Sequence, residues 1–224
     1  MANVLYIHGM GGGADSRIPS ILQECFTYRQ PALHPASSAQ DEGVSVVCRT
    51  YEFDPEIAYS QIASWIEELH PVLIIGESLG SLHAIRIKGI PHLFVSPALN
   101  TPFYFEILAW LSLIPGVTWI FDRIYKPREG DRQPLHFTFR TLRKYMKHRR
   151  EALKNSSSSG SPDNFFAFFG SHDHYRRSGI VSIRTWEKYF GKTYVVYDGT
   201  HFMEDEYIRT LLYDKVVELL KISE

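Results

Sequence analysis

Six short apolar runs constrain this chain more than any other feature of its sequence. They occupy residues 4–7, 44–48, 72–75, 93–95, 165–169 and 194–197. Most lack the apolar–polar alternation that a strand with one wet face would show. Runs this short and this continuous suit strands buried on both faces, which means a parallel sheet covered by helices.

Helical patterns lie between them. Asp54-Pro55 reads as an N-cap followed by proline in the first turn. Ile57, Ala58, Gln61, Ile62, Trp65, Ile66 and Leu69 then follow with helical spacing, and His70-Pro71 ends the helix. Near the C-terminus, Glu204, Asp205 and Glu206 favour a helix start. An apolar stripe of Tyr207, Ile208, Leu211, Leu212, Val216, Leu219 and Leu220 follows. Strand alternating with helix predicts a doubly wound, mostly parallel six-stranded α/β sheet. Residues 1–224 read as one domain with a helical cap insertion at about residues 101–160, between the fourth and fifth strands. Asn155-Ser156-Ser157-Ser158-Ser159-Gly160-Ser161-Pro162 reads as a flexible return linker.

Bulk chemistry excludes several function classes. The chain has 224 residues, 44% hydrophobic and 22% charged, with a formal net charge of −1. That balance gives no global attraction to nucleic acid or to an anionic surface. Cys25 and Cys48 form neither a disulfide framework nor a metal-ligand spacing. No secretory signal stands before the first apolar run, so a cytoplasmic location is expected; Asn155-Ser156-Ser157 is then a polar loop rather than a glycan acceptor.

The chemistry gathers at strand ends. Gly76-Glu77-Ser78-Leu79-Gly80 stands between the third apolar run and Ser81–Ile87, read as strand, tight turn and helix. A serine there is thrust out above the sheet edge, while the flanking glycines spare collisions with the neighbouring strand and helix. A hydroxyl needs a base to take its proton, and His201 follows the sixth run, in Asp198-Gly199-Thr200-His201. The base needs a carboxylate to fix its tautomer. Asp173, in Gly170-Ser171-His172-Asp173-His174 after the fifth run, is the candidate, with Asp198 as a rival better placed to shape a turn. A metal reading of His172, Asp173, His174 and His201 fails, because successive side chains diverge and no spaced partner completes the set.

Two N–H donors should face the oxyanion, each worth about 3–4 kcal/mol of transition-state stabilisation. Leu79 supplies one and Met10, in His8-Gly9-Met10-Gly11-Gly12-Gly13, the other. That glycine-rich run lacks both the P-loop ending and the dinucleotide spacing. If the strands lie in the order 2-1-3-4-5-6, the first-strand and third-strand loops flank one crevice.

These motifs together resemble the α/β-hydrolase superfamily, especially its short bacterial esterase-like members. Tyr6-Ile7-His8-Gly9, Gly76-Glu77-Ser78-Leu79-Gly80, Gly170-Ser171-His172-Asp173 and Gly199-Thr200-His201 carry the resemblance over nearly the whole chain outside the cap. It implies a Ser78–Asp173–His201 triad acting through an acyl-enzyme, with no cofactor and no metal. The expected substrate is a small-molecule carboxylic ester or thioester. The chain departs from longer members in lacking their opening antiparallel strands, and its cap matches no known pattern.

The competing class is a non-catalytic binding protein on the same scaffold; an acyltransferase, or a lactone or peptide hydrolase, would use the same triad. Within the cap, residues 103–121 are nearly all apolar, but Glu106 and Pro115-Gly116 argue against a membrane span. Phe103, Tyr104, Phe105, Trp110 and Trp119 are expected either to line an acyl pocket or to form lid core. Arg140, Arg143, Lys144, Lys147, Arg149, Arg150 and Lys154 form a basic helical run, expected to be a solvated face, with recruitment of an anionic substrate or a lipid surface as the alternative.

Overall fold

The computed structural model describes residues 1–33, 43–126, 129–156 and 165–222. The six apolar runs become β1 (Ala2–Ile7), β2 (Val44–Cys48), β3 (Leu73–Glu77), β4 (His92–Val95), β5 (Phe165–Gly170) and β6 (Tyr194–Tyr197). They pair in the order β2-β1-β3-β4-β5-β6. Every pairing is parallel, so the sheet is wholly rather than mostly so. The order reverses between β1 and β3, opening a crevice at the strands' carboxyl ends.

Both faces of the inner strands β1, β3, β4 and β5 are dry, which explains why their runs do not alternate. On one face, Val4, Tyr6, Leu73, Ile75, Leu93 and Val95 pack against α1 (Arg17–Leu33) and the C-terminal helices. On the other, Leu5, Ile7, Ile74 and Phe94 pack beneath α2 (Pro55–Leu69), α3 (Ser81–Ala84) and the segment between β4 and β5. Helix α1 has no counterpart in the sequence reading. Its signal was present in Ile18, Ile21, Leu22, Cys25 and Phe26, which recur at helical spacing and are all buried.

Helix α2 begins as expected, with the Asp54 carboxylate accepting from Glu56 N and Pro55 in the first turn. Helix α3 is shorter than its sequence suggests. Ser78–Gly80 form a tight 3-10 turn, α3 ends at Ala84, and the chain continues through i to i+3 turns. Gly89 at φ +79° and Pro91 then prevent any resumption before β4.

Between β4 and β5 lie α4 (Thr101–Leu111), α5 (Val117–Ile124) and α6 (Phe139–Ser156). The expected linker lies, from residue 157 onward, outside the described residues. After β5 come α7 (Tyr175–Ser178) and α8 (Ile183–Phe190), the latter capped by Ser182. The predicted C-terminal helix forms as α9 (Asp205–Tyr207), a π turn at Ile208–Leu212, and α10 (Tyr213–Ile222). No helix among the described residues is long and apolar enough to cross a membrane.

Candidate active site

The elbow after β3 holds Ser78 at φ +49°, a left-handed conformation costly for any side chain but glycine. Close packing imposes it. A Cβ at Gly76 would stand 3.0 Å from Ala84 Cβ and Ser81 Cα. One at Gly80 would collide with the backbone carbonyls of Ile7 and His8. The two glycines therefore let β3, α3 and the end of β1 meet, and the turn between them points Ser78 out of the sheet. Ser78 O also accepts from Ala98 N at 3.0 Å, fixing the turn to the loop after β4.

Three loop ends converge on that hydroxyl. His201, after β6, places Nε2 2.9 Å from Ser78 Oγ. Its Nδ1 lies 2.8 Å from Asp173 Oδ2, from the loop after β5. The side chains of His201 and Asp173 are buried, and the other Asp173 oxygen accepts from Tyr175 N at 2.8 Å. Tyr175 and Phe202 close on the imidazole edge to face, with centroids 4.6 and 5.2 Å from His201.

The rival carboxylate goes elsewhere. Asp198 pairs with His172 Nε2 at 2.9 Å and accepts from Ser171 Oγ at 3.1 Å, on the exposed side of the same loops. In the His172-Asp173-His174 run, successive side chains therefore part company: His172 turns to Asp198, Asp173 to His201, and His174 meets the Tyr175 ring at a tilt.

The loop that carries His201 is braced on both sides. Tyr197 donates its hydroxyl to Thr200 O at 3.0 Å, and Thr200 N donates to Glu204 Oε1 at 2.9 Å. Glu77, beside the serine, accepts from the Tyr6 hydroxyl at 2.8 Å; burial, then this carboxylate, pushes the Tyr6 phenol far up and keeps it a donor.

The glycine-rich loop after β1 sits beside the serine, where a Cβ at Gly9 would come within 3.0 Å of Ser78 Cβ. It is held from outside. The buried Gln133 accepts from Gly11 N at 3.1 Å, donates to Tyr51 O at 3.1 Å, and its own N–H reaches Gly12 O at 2.7 Å. Tyr51 donates to His8 O at 2.5 Å and stacks on the His8 ring. Burial lowers the His8 imidazole to about 4, so it stays neutral here. Gln133 and Tyr51 went unmarked in the sequence, since nothing local distinguishes a buried clamp from a loop residue.

A cavity of about 810 Å³ opens over these groups. Met10, Leu79, Ser78 and His201 all border it. Its apolar wall comes largely from the β4–β5 segment: Tyr104, Phe105, Leu108, Tyr125 and Phe137, joined by Ile180. Of the five aromatics expected there, only Tyr104 and Phe105 line it. Phe103, Trp110 and Trp119 are neither pocket lining nor lid core, because their helical positions turn them outward to solvent. The basic run is also less uniform than expected. Arg149 Nε donates to Leu99 O at 2.7 Å, and Lys144 reaches Asp54 at 2.6 Å and Glu56 at 2.8 Å, whereas Arg140, Arg150 and Lys154 face solvent.

No protein-family model matches the chain, and no curated protein matches it. Solved structures do. Est1E from Butyrivibrio proteoclasticus, bound to ferulic acid, superposes with a TM-score of 0.61 at 14% identity, covering 99% of this chain and 90% of that one. A metagenome-derived lipolytic enzyme, from a study of LipS and LipT, gives 0.59 at 14%, covering 98% and 93%. A bromoperoxidase from Bacillus anthracis gives 0.58 at 13%, covering 100% and 92%. At these identities the likeness is one of architecture, and with the strand order above it shows that the chain has the α/β-hydrolase fold.

Proposed function

We propose that the chain is a serine hydrolase of carboxylic esters or thioesters, with Ser78 as nucleophile, His201 as base and Asp173 as its orienting carboxylate. One observation carries the reading: an unbroken chain of hydrogen bonds, 2.8 Å from Asp173 to His201 and 2.9 Å from His201 to Ser78, ending on a serine at positive φ. The similarity to Est1E, seen bound to ferulic acid, and to a lipolytic enzyme supports it. The bromoperoxidase shares the fold equally well, so the fold by itself does not choose the reaction.

In this mechanism Asp173 holds His201 with Nε2 free to accept the Ser78 proton. Ser78 Oγ attacks the carbonyl carbon, and the Leu79 and Met10 amides stabilise the oxyanion. His201 returns the proton to the leaving alcohol or thiol, then activates the water that releases the acid. No cofactor takes part. The segment between β4 and β5 acts as a cap whose inner wall holds the acyl group.

Replacing Ser78 with Ala lowers turnover of p-nitrophenyl butyrate by about 10⁴-fold or more while leaving the circular dichroism unchanged. A fluorophosphonate probe labels the native chain and not that variant. Undiminished turnover in Ser78→Ala, or no labelling of the native chain, removes the assignment and leaves the scaffold a binding protein.

A further inference from the structure

Exposed apolar side chains are not scattered over this molecule. Among the described residues, seventeen large hydrophobics are exposed, and eleven of them fall between Phe103 and Tyr125. On α4, Phe103, Ile107 and Trp110 recur at helical spacing along the side opposite the buried Phe105 and Ala109, and the exposed Ile114 follows in the turn before α5. Helix α5 has no buried residue at all; Trp119 is 63% exposed and Ile124 66%. A contiguous apolar surface of this kind marks an interaction site.

We infer that the outer face of α4 and α5 docks on an anionic lipid bilayer. Charge argues for that occupant. Residues 101–156 carry eleven Lys and Arg against five Asp and Glu, whereas the rest of the chain carries thirteen against twenty. The near-neutral total thus hides a strongly basic segment. Its cations border the apolar face: Arg123 lies over the Trp119 ring at 5.6 Å, and Arg143 over Trp110 at 5.9 Å. Tryptophan rimmed by arginine suits the boundary between acyl chains and phosphates. A second copy of the chain would bring one basic segment against another, which repulsion disfavours. With no spanning helix among the described residues, the face lies on the bilayer rather than crossing it.

Continuity with the cavity adds a consequence. Tyr104 and Tyr125 line the cavity and are also 37% and 38% exposed, so the face runs into the mouth. Phe202, exposed and lining the opposite side, makes the rim apolar on both sides. Resting on the reading of Ser78 as nucleophile, this points to an ester of a bilayer-resident acyl chain as the substrate class.

Vesicle flotation tests the docking without any turnover. The native chain and Ser78→Ala should both float with phosphatidylcholine vesicles containing 30% phosphatidylglycerol, and neither with phosphatidylcholine alone. Trp119→Glu with Ile124→Glu, and separately Arg123→Glu with Lys126→Glu, should each weaken flotation at least about tenfold. None of these four residues lines the cavity, so turnover of soluble p-nitrophenyl butyrate stays within about twofold in both variants and reports that they are folded. Absence of flotation, equal flotation with neutral vesicles, unchanged flotation of either variant, or a dimer dissolved by Trp119→Glu would each overturn the docking. Flotation by a native chain that hydrolyses neither soluble nor vesicle-borne esters leaves the docking standing and sinks the hydrolase reading instead.

Discussion

At the scale of single residues, the site separates two aspartates that sequence distance alone would misassign. Asp198 lies three positions from His201 yet pairs with His172, while Asp173, twenty-eight positions away, reaches the imidazole. Asp173→Asn should therefore lower kcat by about 10³–10⁴-fold, because the imidazole is held in the wrong tautomer. Asp198→Asn should leave kcat within about twofold; the reverse pattern in steady-state kinetics would exchange their roles. Gln133 is the second test at this scale. Gln133→Ala frees Gly11 N, next to the proposed Met10 donor, and Tyr51 O, so kcat for a small ester should fall about tenfold with KM little changed. The proposed triad was legible from the sequence because each member follows an apolar strand and the fold dictates which strand ends converge. Gln133 was not legible, since its role depends on a contact across 122 residues with Gly11.

At the scale of elements, the β4–β5 segment is anchored by an aromatic cluster rather than by the loops that enter and leave it. Tyr145 of α6 is fully buried, donates to Phe53 O at 2.7 Å, and meets the Phe53 and Phe105 rings at centroid distances of 5.3 and 4.9 Å. Tyr145→Phe keeps the packing but strands the Phe53 carbonyl, costing about 1–2 kcal/mol in a urea melt. Tyr145→Ala should cost about 3–5 kcal/mol by opening a cavity between α4 and α6. An equal loss in both variants would mean that the hydroxyl, not the ring, carries the anchor. Strands were readable almost residue for residue, because double-sided burial writes itself as an apolar run. The outward turn of Trp110 and Trp119 was not, because a helix apolar on both sides gives no sign of which side meets the rest of the fold.

At the scale of the whole molecule, four buried imidazoles make the fold sensitive to acid. His8, His83, His92 and His148 are all buried, and the His83 and His148 rings meet at a tilt, centroids 4.6 Å apart, beside Arg86. Burial lowers His8 and His92 to about 4 and His148 to about 3, and drives His83 down as well. The unfolded chain binds these protons near 6.5 and the folded chain does not, so their stability is fully present above 6.5 and declines as pH falls towards the folded values. Four such groups give a slope of about 5 kcal/mol per pH unit, against a total stability of about 5–15 kcal/mol. Unfolding followed by circular dichroism should be complete above about pH 3.5; native signal persisting at pH 3 would show that protons enter this cluster without breaking it.

The sheet order has a kinetic corollary. Ser78 and His201 are 123 residues apart and follow β3 and the edge strand β6, with β4 and β5 between those strands. No subset of neighbouring strands that lacks the edge can bring the two side chains together. Closing so long a loop is slow, and edge strands open more readily than central ones. The proposed triad is thus assembled last during refolding and lost first during denaturation, so a fraying edge would part Ser78 from His201 while most of the sheet is still intact.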